Sequence, residues 1–265
     1  MRVIRFIRDG QIHSGQQIDD VSAYRIQGSL LGPHRITEET LRIDKLLAPI
    51  VPTDILCIGL NYRAHAAETG QAIPKNPVLF IKASNTLNNP GDGIPLPRRS
   101  QQIDFEAELA VVIGRDCKDI SRERALDHVL GYTCANDVSA RDWQKDKDLG
   151  GGQFARGKSF DGFCPLGPAI VTKDEIPNPN ALRIRCLLNG EVMQDSTTAD
   201  MIFDVPALIE SLSSTMTIRA GSVILTGTPS GVGFARKPQI WMKDGDTVEV
   251  ELEKIGRLKN SVGAT

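Results

Sequence analysis

The sequence predicts an α+β fold dominated by mixed or antiparallel sheet, and three observations predict it. Short extended segments outnumber helical ones, the two kinds do not alternate in the βαβα rhythm of a doubly wound sheet, and no internal repeat organises the chain. At 265 residues the chain can bury a full core.

Residues 3–7 read as a strand, Asp9-Gly10 as a tight turn and Ile12 as the start of the return, so residues 2–18 form a small hairpin region. A polar stretch with Gly28, Gly32 and Pro33 follows, and Pro49 and Pro52 then read as a linker. The expected division is a small β appendage at 1–50 and a main domain at 51–265. Ile55-Leu56-Cys57-Ile58-Gly59 reads as a short buried strand, and 78–83, 103–113, 168–172, 182–188, 222–226 and 247–253 as extended. Segments 121–129, 137–145 and 205–212 read as helices, with Ser121 and Asp204 as N-caps and Pro206 in a first turn.

Lys plus Arg number 31 and Asp plus Glu 33, a net charge of −2, which argues against nucleic acid or an acidic membrane surface as partner. No apolar run approaches the roughly 20 residues of a transmembrane helix, and the first residues alternate charge instead of forming an apolar signal core. A soluble, cytoplasmic protein is expected. Five scattered cysteines without a C-x-x-C pair indicate neither a disulfide framework nor a zinc site.

The most informative string is Ile103-Asp104-Phe105-Glu106-Ala107-Glu108-Leu109. On a strand, period two sends Asp104, Glu106 and Glu108 to one face. Adjacent carboxylates repel unless a cation lies between them, and hard oxygen donors suit Mg²⁺, Mn²⁺ or Ca²⁺. An exposed acidic strand face is the bland alternative. Val111-Val112-Ile113, apolar on both faces, favours a buried strand instead.

Four further strings carry chemistry. If a helix opens at Asn136-Asp137, then Asp137, Arg141 and Gln144 share one face, although this string alone favours an ordinary intrahelical Asp–Arg pair. The run Gly150-Gly151-Gly152 reads as a loop. The segment from Gly152 to Ser159 matches a phosphate loop formally but lacks the strand before it and the helix starting at the Lys, so Lys158 is left free to hold a carboxylate or an enolate oxygen. His65 and Glu68 stand at i and i+3, so the carboxylate can orient the imidazole for acid–base work; a surface pair is the alternative. Leu225 to Gly233 runs from a strand into a Gly-rich turn whose N–H groups, with the Thr228 hydroxyl, could receive an anionic oxygen, as many hairpin loops could.

In this order G-L-N-Y-R-A-H-A-A-E (59–68), D-F-E-A-E-L (104–109), N-D-V-S-A-R-D-W-Q (136–144), G-K-S-F-D (157–161), L-T-G-T-P-S-G-V-G (225–233) and I-G-R-L-K-N-S-V (255–262) resemble the successive motifs of the fumarylacetoacetate hydrolase family. The resemblance implies a mixed β-sandwich roll, usually a homodimer, acting with a divalent metal on small anionic 2-oxo or 2,4-dioxo acids. It implies Glu106, Glu108 and Asp137 as metal ligands, with Mg²⁺ expected and Mn²⁺ or Ca²⁺ as alternatives. It further implies Arg141, Gln144, Lys158 and Thr228 around the substrate, Lys158 also acting in catalysis, and His65 with Glu68 as the catalytic dyad of a mobile lid. Asp104 is not a ligand in that pattern and is expected to support the ligands. Hydrolytic C–C cleavage of an acylpyruvate-type substrate is the expected reaction. Oxaloacetate decarboxylation and enol–keto tautomerisation or isomerisation on the same site are the alternatives, and a non-catalytic metal-binding protein is the reading of another class.

Overall fold

The computed structural model describes residues 1–149 and 152–263. Its main sheet runs in the order His34–Arg42, Ser22–Gly28, Gln11–Gln17, Arg2–Arg8, Cys164–Thr172, Val129–Asn136, Ala107–Ile113, Val223–Leu225, Ile55–Gly59, Val78–Lys82. A second sheet holds Glu191–Thr197, Arg183–Leu188, Thr247–Leu252 and Gly256–Ser261. The main sheet is mixed: Val223–Leu225 pairs parallel with Ile55–Gly59, while its other neighbour, Ala107–Ile113, runs antiparallel to it.

The expected N-terminal hairpin forms between Arg2–Arg8 and Gln11–Gln17. Its turn residues Asp9 and Gly10 take φ of +48° and +74°, the double positive φ of a type I′ turn, which an Asp-Gly pair adopts readily. Arg2–Arg8 also pairs with Cys164–Thr172, so the first fifty residues extend the main sheet. Strands Ser22–Gly28 and His34–Arg42 lie where the sequence reads only as polar. They form an outer hairpin with few buried positions, and a wet strand carries a weak apolar alternation.

Ala107–Ile113 is buried along its whole length. Leu109, Val111 and Ile113 enter one core with Ile184, Cys186, Val248 and Val250 of the second sheet, while Ala110 and Val112 pack on the other side with Val3, Ile170 and Leu225. The β-sandwich roll implied by the resemblance is this two-sided packing. Helix Val205–Thr215 closes the first core through Val205, Leu208, Ile209 and Leu212, and Asp204 caps it by accepting the Ala207 N–H at 2.9 Å.

Three expectations need correction. The 103–113 strand is interrupted: Ile103–Asp104 pairs with Ser139–Ala140, and the long strand starts only at Ala107. The 121–129 helix is a 3₁₀ segment, Arg122–His128, in which Ser121 makes no side-chain cap. The 137–145 helix covers only Arg141–Lys145, because Ser139–Ala140 is extended against Asp104. Of the expected glycine loop, Gly150 and Gly151 lie outside the described residues; Gly152 takes φ +87°. Helix Phe154–Lys158 ends at the lysine and does not start there, in line with the rejection of a phosphate loop. All five cysteines are buried and free. Among the described residues no helix is long and apolar enough to cross a membrane.

Candidate active site

Strand register builds the acidic centre. Ala107 pairs with Asn136 and Glu108 with Ala135, so one further step sets Asp137 opposite Glu106, and the Asp137 N–H donates to the Glu106 carbonyl at 2.9 Å. Glu106 and Glu108 share a face because they are two residues apart. Carboxylate oxygens of Glu106, Glu108 and Asp137 lie within 4.8 Å of one another, and all three residues are buried. Three buried, converging anions are a donor set that fits a hard divalent cation.

Protein cations partly balance these acids. Lys158 Nζ donates to Glu106 Oε2 and Asp137 Oδ2, both at 2.6 Å. Arg141 donates to Glu106 Oε1 at 2.6 Å, to Asp104 Oδ2 at 2.8 Å and to Gln144 Oε1 at 3.0 Å. Lys158, expected to be free to hold a carboxylate or an enolate oxygen, is thus already bonded to two protein carboxylates, and Arg141 pairs with Glu106 and Asp104 and not with Asp137, because a buried cation needs a partner. Burial would raise the Glu106 pKa, but Arg141 and Lys158 outweigh it and hold the carboxyl well below its ordinary range. Among the described residues no cation is bonded to Glu108. Burial, then the charges of Asp137 and Glu106, push it well above its ordinary value, opposed in part by the charge of Lys158 and then by the Gly227 N–H, which donates to Oε2 at 2.7 Å.

Gly227 takes φ +96°, and a Cβ there would stand 2.7 Å from the Asn61 Cβ. The Gly-rich turn thus receives an anionic oxygen, and that oxygen belongs to Glu108. Gly157 serves packing in the same way: a Cβ would meet the Gln144 N at 2.8 Å and the Ala140 carbonyl at 2.9 Å, so its absence lets the short helices carrying Lys158 and Arg141 touch.

Asp104, carried past the break in its strand, accepts from Phe105 N at 2.9 Å, Gly233 N at 2.8 Å, Phe234 N at 3.1 Å and Arg141. It clamps Arg141 and the 232–234 turn together. The Thr228 hydroxyl donates to the Ala107 carbonyl at 3.0 Å and accepts from Gln194 at 2.8 Å, so its hydrogen bonds serve the fold although the residue lines the cavity.

His65 lies on helix Arg63–Glu68 and faces the same cavity, with Nδ1 2.7 Å from Glu68 Oε1. A carboxylate only accepts, so Nδ1 donates to Glu68, and in the neutral imidazole Nε2 is then the acceptor that faces the cavity. The cavity encloses about 90 Å³. Besides the triad, Arg141, Gln144 and Lys158 line it, as do Thr69, Gln71, Val232 and Phe234.

Two neighbours escaped the sequence reading. Lys82 is 3 % exposed and donates to Asp137 Oδ1 at 2.6 Å and the Val138 carbonyl at 3.1 Å. Its one signal was a lysine closing the apolar run Val78-Leu79-Phe80-Ile81, and lysines at strand ends are usually solvated. Lys145, one residue beyond Gln144, also lines the cavity.

A sequence model described as "Fumarylacetoacetate (FAA) hydrolase C-terminal" matches residues 54–263. The chain is 50 % identical over 218 residues to the oxaloacetate tautomerase fahd2, mitochondrial, of Xenopus laevis, covering 82 % of this chain and 68 % of that protein. Among solved structures, the fumarylacetoacetate hydrolase from Exiguobacterium antarcticum superposes with a TM-score of 0.88 at 38 % identity, all of both chains covered. The 5-carboxymethyl-2-hydroxymuconate delta-isomerase from Mycobacterium smegmatis does so with a TM-score of 0.87 at 38 % identity, again with both chains fully covered.

Proposed function

The chain belongs to the fumarylacetoacetate hydrolase family, and from that premise we propose that it interconverts the enol and keto forms of a small 2-oxo acid, with oxaloacetate the first candidate. The observation that carries the reading is the His65–Glu68 pair facing the cavity that holds Glu106, Glu108 and Asp137. Enol–keto exchange moves one proton between C3 and the C2 oxygen, so one oriented base beside an anion-stabilising centre is sufficient chemistry. The name of the Xenopus relative supports the same reaction, and the isomerase name of the Mycobacterium structure is also that of a proton-shift enzyme.

Glu106, Glu108 and Asp137 would hold a divalent ion, Mg²⁺ in this reading, with Mn²⁺ or Ca²⁺ as substitutes. When bound, such an ion stabilises negative charge developing on a substrate oxygen. Arg141 and Gln144 orient the substrate carboxylate. Lys158 offsets charge at the C2 oxygen, and the Thr228 side packs against the substrate. From the keto form His65 Nε2 takes the C3 proton to leave the enolate and the imidazolium then gives a proton to the C2 oxygen; from the enol form it takes the C2 hydroxyl proton and delivers a proton to C3. Glu68 keeps Nε2 in its unprotonated tautomer and is itself held by the Gly231 N–H.

Hydrolytic C–C cleavage, the reaction expected from the sequence, retains one supporting observation, the likeness to the Exiguobacterium hydrolase. It adds the need for a water aimed at C4. Wild-type protein loaded with Mg²⁺ should accelerate decay of the oxaloacetate enol absorbance without stoichiometric CO₂ release and without cleaving acylpyruvates. Acyl cleavage with no enol–keto effect would replace tautomerisation by hydrolysis.

We also propose a homodimer, supported by exposed Val78, Leu79 and Ile81 on the terminal strand of the main sheet, an apolar edge that proteins usually cover. Light scattering on the purified protein tests it.

A further inference from the structure

Helix Arg141–Lys145 places Arg141, Gln144 and Lys145 at i, i+3 and i+4, one face of one turn, and all three line the cavity. The face is graded. Arg141 and Gln144 are buried against the acidic centre, whereas Lys145 is exposed at the mouth. Lys145 Nζ rests 3.3 Å from the centroid of the Phe234 ring, so the aromatic face fixes an ammonium that would otherwise sweep through solvent.

His65, Arg141 and Lys158 line the same cavity and are each bonded to a carboxylate. Among the described residues Lys145 has no carboxylate partner, and its companions at the mouth, Thr69, Gln71 and Phe234, are uncharged. Burial and then the charge of Arg141 lower the Lys145 pKa, so an arriving anion would stabilise its charged form.

Formal charge says what kind of ligand such a lysine serves. With Glu108 ionised, as metal binding requires, Asp104, Glu106, Glu108 and Asp137 set against Lys82, Arg141 and Lys158 leave the inner cluster at −1. A divalent ion brings it to +1, and one substrate carboxylate neutralises that. A second carboxylate needs a cation of its own. Four residues of helix advance about 6 Å along the axis from Arg141 to Lys145, a step on the scale of a four- or five-carbon diacid.

We propose that Lys145 receives the distal carboxylate of the substrate and so makes the site prefer 2-oxo dicarboxylates over 2-oxo monocarboxylates. The proposal rests on the 2-oxo acid reading above and adds a specificity-determining residue to it.

The test is calorimetric binding of oxamate and N-oxalylglycine to Mg²⁺-loaded protein, since the two share an oxalyl head and differ by the carboxymethyl group that bears the distal carboxylate. Wild type should bind N-oxalylglycine about tenfold tighter or more, the scale of one charge-assisted hydrogen bond. Lys145→Met should bring the ratio close to unity with oxamate affinity unchanged, and Lys145→Arg should retain the preference. An unchanged ratio in Lys145→Met, or an equal loss for both ligands, overturns the proposal. Enol–keto exchange of oxaloacetate by the same proteins separates the two readings. Exchange without ligand preference sinks the role of Lys145 alone, whereas preference without exchange supports that role and sinks the tautomerase reading alone.

Discussion

The Gly231 N–H donates to both carboxylate oxygens of Glu68, at 2.9 and 3.1 Å, and so fastens the helix that carries His65 to the Gly-rich turn. Because Glu68 also binds His65 Nδ1, one carboxylate sets both the position of the helix and the tautomer of the imidazole. His65→Ala should lower turnover by about 10² to 10⁴, the range for a lost general acid–base group, with metal affinity nearly unchanged. Glu68→Gln should act in the same direction more mildly, since the amide can still accept from Gly231. Wild-type turnover by His65→Ala at saturating metal would move the base elsewhere.

Glu108 is the carboxylate of the triad without a bonded cation, and burial opposes its charge. Glu108→Gln should therefore abolish Mg²⁺ and Mn²⁺ binding by calorimetry while the melting temperature of the metal-free protein does not fall. Unchanged metal affinity would remove Glu108 from the ligand set.

Lys82 holds Asp137 Oδ1 while Lys158 holds Oδ2. Lys82→Met strands part of a buried ion pair and should cost about 3 kcal/mol of stability in urea denaturation of the metal-free protein, the lower end for breaking such a pair because Lys158 remains. Its metal affinity should change as well, since Asp137 loses the contact that orients it. A loss below about 1 kcal/mol, the scale of a surface ion pair, would mean that Lys82 is solvated in solution.

Oxalate presents the planar two-oxygen head of a 2-oxo acid enolate, and it should inhibit enol–keto exchange competitively only when metal is present. Lys158→Met should weaken oxalate binding and lower turnover together, because the same ammonium serves ground state and developing charge. Oxalate inhibition that persists in chelator would count against a metal-held 2-oxo acid.

What the sequence determined by itself is local. Period two in a strand aims Glu106 and Glu108 the same way, i and i+3 in a helical turn brings Glu68 to His65, and an Asp before a proline-led apolar run caps helix Val205–Thr215. The ordered motifs carried the family as well, since they are short strings needing no knowledge of their neighbours in space. The tertiary structure decided what depends on register and burial. Asp137 meets the glutamates by lying opposite Glu106 across a strand pair, not by sharing a helix face with Arg141. Lys82 reaches Asp137 across 55 residues of sequence, and Asp104 leaves the carboxylate row where its strand breaks to pair with Ser139. Lys145 reads as an ordinary solvated lysine in sequence, and only the fold sets it over Phe234 at the mouth of the acidic cavity. Side-chain period is written in adjacent residues, whereas the partner of a buried charge is fixed only when distant strands have chosen their register.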